Sequence, residues 1–249
     1  MISATSSFTY FALLTLAYFV LRYLMVDKYE NKGNSALGIA LIIVYLGIMF
    51  LIQFMVNMSN AKERCGGTPQ VLTALTYTAI PNILIFGLLI MMIMFFPGWK
   101  APFSNTLGYL IVSSPIFRAR DVFNNILVKK SSNKLLNMVY RDPSLMINEM
   151  TPENFDIFIS KMGEAKNPIL VSNFRDYLPK LYNLVVMKDR ISEFMWYLLT
   201  GALVISNSNS YIQTFKCKRT SGELANKLDK ALLANSKKEK KKQKWKLAY

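Results

Sequence analysis

From Cys65 to Trp99 the chain carries no charged side chain. A helix of that length is longer than a hydrocarbon core is thick, and nothing in it asks for water. A soluble domain of 249 residues can bury an apolar core, so length alone does not require a membrane. The clustering does. Residues 1–117 hold six basic and three acidic side chains, whereas residues 118–249 hold 24 and 12. An apolar, nearly neutral front is joined to a strongly cationic rear.

The front divides into spans. The first covers about residues 8–26, roughly 28 Å as a helix, with Arg22 one turn from its end and able to reach the membrane interface. The leader Met1–Ser7 has no basic residue, while Lys28 and Lys32 follow the apolar run. That polarity fits a retained anchor rather than a cleaved signal. The second span covers about 36–58 and is uncharged. The third covers about 71–96 and contains Pro81, which predicts a kink whose freed carbonyl a neighbouring helix can satisfy. Pro97-Gly98-Trp99-Lys100 ends it and predicts interface anchors at Trp99 and Lys100. Residues 101–117 are uncharged but short and rich in Pro, Ser and Gly, so they read either as a fourth span or as a re-entrant or interface-lying segment.

Behind the spans, apolar residues recur at helical spacing: Val122, Ile126 and Leu127; Leu135, Met138 and Val139; Phe155, Phe158 and Ile159. Thr151-Pro152 predicts a helix start with Thr151 as N-cap and Pro152 in first position. The apolar run Phe194–Ile205 has twelve residues, a length that favours a core or interfacial helix over a span. Thr220-Ser221-Gly222-Glu223 fits a capping box ahead of a Leu224, Leu228, Leu232 stripe. Lys237, Lys238, Lys240, Lys241, Lys242, Lys244 and Lys246 then make a tail that can bury nothing.

The expected fold is therefore all-α and integral to a membrane. It has a transmembrane region over 1–117, a helical membrane-proximal domain over 118–213, and an amphipathic helix with a Lys-rich tail over 214–249. Basic residues mark the cytoplasmic side, so three spans put the N-terminus outside and the cationic domain inside. This topology sets Cys65 and Cys217 on opposite faces.

Candidate chemistry is sparse. Histidine is absent, which removes the commonest neutral-pH base and metal ligand. The two cysteines have no metal-site spacing. Cys65-Gly66-Gly67 reads as a tight turn, or as a reactive thiol with Lys62 and Arg64 lowering its pKa. Glu149, Glu153 and Asp156 sit where a helix start favours acids. No catalytic, cofactor-binding or metal-ligating residue is assigned, and the chain is not expected to be an enzyme. The lysine tail suits anionic lipid headgroups, nucleic acid through its phosphates, or plain solvation as a solubilising tail.

Three stretches carry a resemblance: Arg64-Cys65-Gly66-Gly67-Thr68-Pro69-Gln70, then Pro97–Tyr109 (PGWKAPFSNTLGY), then Glu193–Gly201 (EFMWYLLTG). In this order they resemble the multi-pass inner-membrane and minor capsid proteins of large icosahedral double-stranded DNA viruses of eukaryotes. The resemblance implies a structural virion protein in the internal membrane beneath the capsid. Its implied partners are the lipid bilayer and capsid or other virion proteins, in a multi-copy assembly. The family brings no catalytic residues. The alternative from another class is a channel or transport component of a cellular membrane, with Pro81, Gly87 and the polar 101–117 segment, Ser104 and Asn105 included, lining its pathway.

Overall fold

The computed structural model describes residues 3–31, 35–128, 134–163 and 169–217. The lysine tail, the 220–223 capping box and the leucine stripe after it lie outside the described residues. Among the described residues the chain is helical, with one isolated antiparallel bridge between Leu127 and Leu170.

The apolar front forms the helices its composition demands. Helix α1 (Ala4–Arg22) is capped by the Ser3 hydroxyl, which accepts from the Ser6 N–H, and runs on as a π turn to Asp27. Helix α2 spans Ser35–Arg64. Helices α3 (Val71–Pro81) and α4 (Gly87–Phe95) are joined without a break by a π turn, Asn82–Phe86. Pro81 has no N–H to offer Tyr77, and the Ser208 hydroxyl donates to that freed carbonyl at 2.8 Å. The stretches Ala4–Asp27, Ala36–Arg64 and Val71–Phe95 are long and apolar enough to cross a membrane. Their outward faces expose Leu13, Ile43, Leu51, Leu72, Leu84, Met91 and Phe95, a belt suited to lipid rather than water.

Residues 97–112 continue past the third span as a tight turn, α5 (Ala101–Phe103), a π turn and α6 (Tyr109–Val112). They form a continuation of the third span packed along a later helix. Gly108 makes that approach feasible, because a Cβ there would lie 2.6 Å from the Lys188 carbonyl oxygen. The head follows: α7 (Ala119–Ile126), α8 (Lys134–Arg141), α9 (Ser144–Ile147) and α10 (Phe155–Gly163). At the start of α10 the Thr151 hydroxyl accepts from the Asn154 N–H and Asn154 Oδ1 accepts from the Thr151 N–H. The first α-helical bond, however, runs from the Phe158 N–H to the Asn154 carbonyl. The helix thus starts at Phe155, and Pro152 lies in the preceding turn rather than in first position.

The largest departure from the sequence reading is α11, Leu178–Thr214, 37 residues without interruption and about 55 Å long. Its first part is the centre of the head core, where Leu181, Leu184 and Val185 pack with Phe123, Ile126, Ile147 and Phe155. Its second part lies along α1, α2 and the third span and closes a four-helix bundle. There Tyr197, Val204 and Ile205 meet Phe11, Tyr18, Tyr45 and Phe86. Gly201 lets α1 close in, since a Cβ would sit 2.1 Å from the Phe11 ring. The run that reads as twelve residues, Phe194–Ile205, is the middle of this longer element.

Candidate functional site

Two ends of the bundle hold the chemistry. At the head end the chain ends of α1 and the third span meet α11 in a buried ion cluster. Lys100 Nζ donates to Asp189 Oδ2 at 2.6 Å and lies 3.6 Å from Glu193 Oε1. Arg190 grips Asp27 with two nitrogens, Nε to Oδ2 at 2.8 Å and Nη2 to Oδ1 at 3.2 Å. It also pairs with Glu193 on its own helix. Arg22 reaches Glu193 Oε2 and Asp27 Oδ2, both at 3.6 Å, and donates to the Tyr18 hydroxyl at 3.0 Å. Three cations and three carboxylates thus neutralise one another. Lys100 and Asp189 are 5 % and 3 % exposed, so solvent screens their attraction weakly.

Sequence reasoning treats Arg22, Trp99 and Lys100 as interface anchors. The structure gives them different places. Trp99 is half exposed, and its carbonyl accepts from Trp196 Nε1 at 2.8 Å. Lys100 does not reach outward to headgroups; it is buried with Asp189 and Glu193 on α11 as partners. Arg22 is likewise turned into the bundle by Asp27 and Glu193. The physical reason is that a lysine or arginine near a span end follows the nearest carboxylate when a neighbouring helix supplies one. No sequence pattern links residues 22, 100 and 193, which are brought together only by the fold.

The cluster is tied to the head from two sides. Glu153, from the turn before α10, lies 3.3 Å from Lys100 Nζ. Burial works against the Lys100 charge, but Asp189, Glu193 and Glu153 outweigh it and hold the ammonium above its ordinary pKa. Burial likewise opposes the Glu153 charge, and Lys100 outweighs it, so that carboxyl is held below its ordinary value. Lys188 points the other way, into the head. It donates to the Ile147 carbonyl at 2.8 Å and to Asn105 Oδ1 at 3.3 Å. Burial pushes its ammonium down to about 8, with Asp189 and Glu149 offsetting part of the effect.

The aromatic shell of the same junction comes from residues 97–109 and 193–201. Trp196 packs on Phe103 at 5.1 Å and on Trp99 at 5.8 Å between ring centroids. The Ser192 hydroxyl donates to the Lys100 carbonyl. Residues 97–109 and 193–201 therefore form one surface of contact. Ser104 is buried in it and Asn105 is engaged by Lys188.

At the opposite end, Cys65 and Cys217 form a disulfide with Cα atoms 5.6 Å apart. This overturns the expected placement of the two cysteines on opposite membrane faces. That expectation counted one passage between them, the third span, whereas α11 adds a second, antiparallel helix and returns Cys217 to the level of Cys65. Gly66 and Gly67 adopt φ of 67° and 95°, conformations that favour glycine. The Gly67 N–H closes the end of α2 by donating to the Lys62 carbonyl. The loop is thus a helix stop that presents Cys65, and the thiol is committed to a bridge.

Between the two ends, polar groups pair inside the bundle. Asn82 Nδ2 donates to Gln53 Oε1 and to the Thr78 carbonyl, and Asn57 Nδ2 donates to the Thr78 hydroxyl, all at 2.8 Å. Above them Tyr18 and Tyr45 stack at 4.5 Å, and Tyr197 meets Phe86 edge-on at 5.0 Å. Among the described residues no group of three metal-ligating side chains converges.

Fold and junction together define the class: a membrane-spanning helical bundle continued into a helical head by a shared helix. Searches against protein families, curated proteins and solved structures find no match to this chain.

Proposed function

We propose that this chain is a structural membrane protein of a virion, a minor capsid component that tethers the capsid shell to the internal lipid membrane. One observation carries the tethering role: α11 belongs to the head core and the bundle core at once, without a break at the junction. A load on the head is passed directly to helices held in lipid. The ion cluster supports the same role, because its buried cations and carboxylates pair with one another across the junction and so fix α1, the third span and α11 together. The order of the three motif stretches supplies the viral context. In this reading the protein resides in the viral inner membrane beneath the capsid and works in many copies, whose combined attachment gives avidity.

The test is imaging of intact particles carrying a tagged copy, followed by gentle detergent treatment. A tether is expected to stay with the shell and to keep its spacing from the membrane. Release with the lipid, while that spacing stays unchanged, rejects the role.

One observation favours the channel reading instead: Gln53, Asn57, Asn60, Thr78, Asn82 and Ser208 are polar and buried within the bundle. Conductance across reconstituted vesicles, lost when Gln53 and Asn57 are changed to leucine, is the outcome that would favour it over the tether.

A further inference from the structure

The disulfide end carries a second cluster of charge, in which the cations Lys62, Arg64 and Lys216 outnumber the exposed acid Glu63. Lys62, Arg64 and Lys216 are exposed around the Cys65–Cys217 bridge, with Arg64 lying 5.8 Å from the Phe215 ring centre. The Ser3-capped start of α1 lies at this end too, since Ser7 borders the same cleft as Asn60 and Ser208. The head lies at the other end, beyond Lys100. Between the ends, Phe194–Phe215 contains no charged residue. Phe194 to Thr214 gives about 31 Å of helix, of which the apolar Phe194–Ile205 part is about 18 Å and the polar turns after it extend toward the headgroup layer. Its outward residues Leu199 and Leu203 are exposed like those of the three spans. Exposed polar side chains begin only at Ser206, close to the level of the Ser3–Ser7 turn. Asn207 and Thr214 donate to carbonyls of their own helix, which reduces what they ask of the headgroup layer.

We infer that α11 crosses the bilayer as a fourth span and delivers the chain after Cys217 to the face opposite the head, where this basic end docks on an anionic lipid leaflet. The charge balance favours that partner. Residues 218–249 hold eleven basic and three acidic side chains. Residues 97–193, which include the head, hold 13 and nine. A fourth crossing assigns that surplus to the disulfide face. Lys62, Arg64 and Lys216 are already at the membrane surface, so the chain after Cys217 starts within reach of headgroups, where each cation strengthens binding by about fivefold. The inference rests on the bundle geometry and stands or falls independently of the virion reading.

Two measurements on the full chain test it. In sealed membranes of known sidedness, Leu145→Cys in the head and Ala248→Cys after the bundle are each probed with an impermeant maleimide, the native pair kept oxidised. Labelling from opposite sides is expected; labelling of both from one side overturns the fourth crossing. In nanodiscs, a nitroxide at Ala248→Cys reports contact with the leaflet. Its spectrum is expected to broaden when phosphatidylserine is added to phosphatidylcholine, and to sharpen again in high salt or when Lys237, Lys238, Lys240, Lys241, Lys242, Lys244 and Lys246 become glutamine. An unchanged spectrum, or broadening by duplex DNA but not by phosphatidylserine, overturns the lipid partner.

Discussion

Arg190 is the residue on which the junction depends most, because it holds Asp27 and Glu193 together. Changing Arg190→Met removes the shortest ion-pair partner of both buried carboxylates and leaves them to Arg22 and Lys100 at 3.6 Å. The expected loss is about 3–5 kcal/mol of stability, the usual cost of removing one partner from a buried pair. Thermal unfolding in detergent measures it, and Asp27→Leu in the same chain is expected to restore part of the loss. Lys188 gives a pH signature. Its pKa is about 8 in the folded chain against an ordinary 10.5. Between those values the unfolded chain binds the extra proton, so stability rises with pH across roughly pH 8 to 10. Lys100, raised by its carboxylates, keeps its contribution throughout that window and loses it only above. The rise in unfolding midpoint is therefore expected in the native chain and flattened in Lys188→Met. Neither effect was legible beforehand. Asp27, Lys100 and Arg190 are far apart in sequence, and a lysine next to an apolar run reads as a snorkelling anchor until the opposing helix is known.

At the scale of elements, Pro81 and Ser208 form a testable couple. The proline frees the Tyr77 carbonyl and the serine occupies it. Ser208→Ala leaves that carbonyl bare inside the bundle and is expected to cost about 1–3 kcal/mol. In a Pro81→Ala background the helix can satisfy Tyr77 itself, so the same serine change is expected to cost much less. A double-mutant cycle on unfolding midpoints separates the two outcomes. Elements were the most readable level of this sequence. Three spans announce themselves through long uncharged runs, and Pro81 marks the point after which the third turns from α to π hydrogen bonding. The fourth helix of the bundle was hidden because Ser206-Asn207-Ser208-Asn209-Ser210 interrupts the apolar pattern after twelve residues. One of those residues, Ser208, faces inward to Tyr77, and Asn207 bonds back to the Leu203 carbonyl, so the helix runs through them. Missing that helix also misplaced Cys217. A different count of antiparallel elements would have paired the only two cysteines at once.

For the whole molecule, the three apolar spans predict that the chain stays in the pellet after an alkaline wash and leaves the membrane only with detergent. The disulfide predicts a faster band on a non-reducing gel, shifted by reductant. Its removal by Cys65→Ser is expected to raise hydrogen exchange in the last turns of α11 while leaving the Phe194–Val204 region protected, because aromatic packing holds the latter independently. The closure of the bundle by α11 also governs how the protein must be made. Phe11 packs on Gly201, so α1 leaves the ribosome well before this partner, which is synthesised 190 residues later, some 10–40 s at ordinary translation speed. During that interval α1 is inserted with its inner face unfilled, which makes the nascent chain a client for whatever escorts half-built membrane proteins.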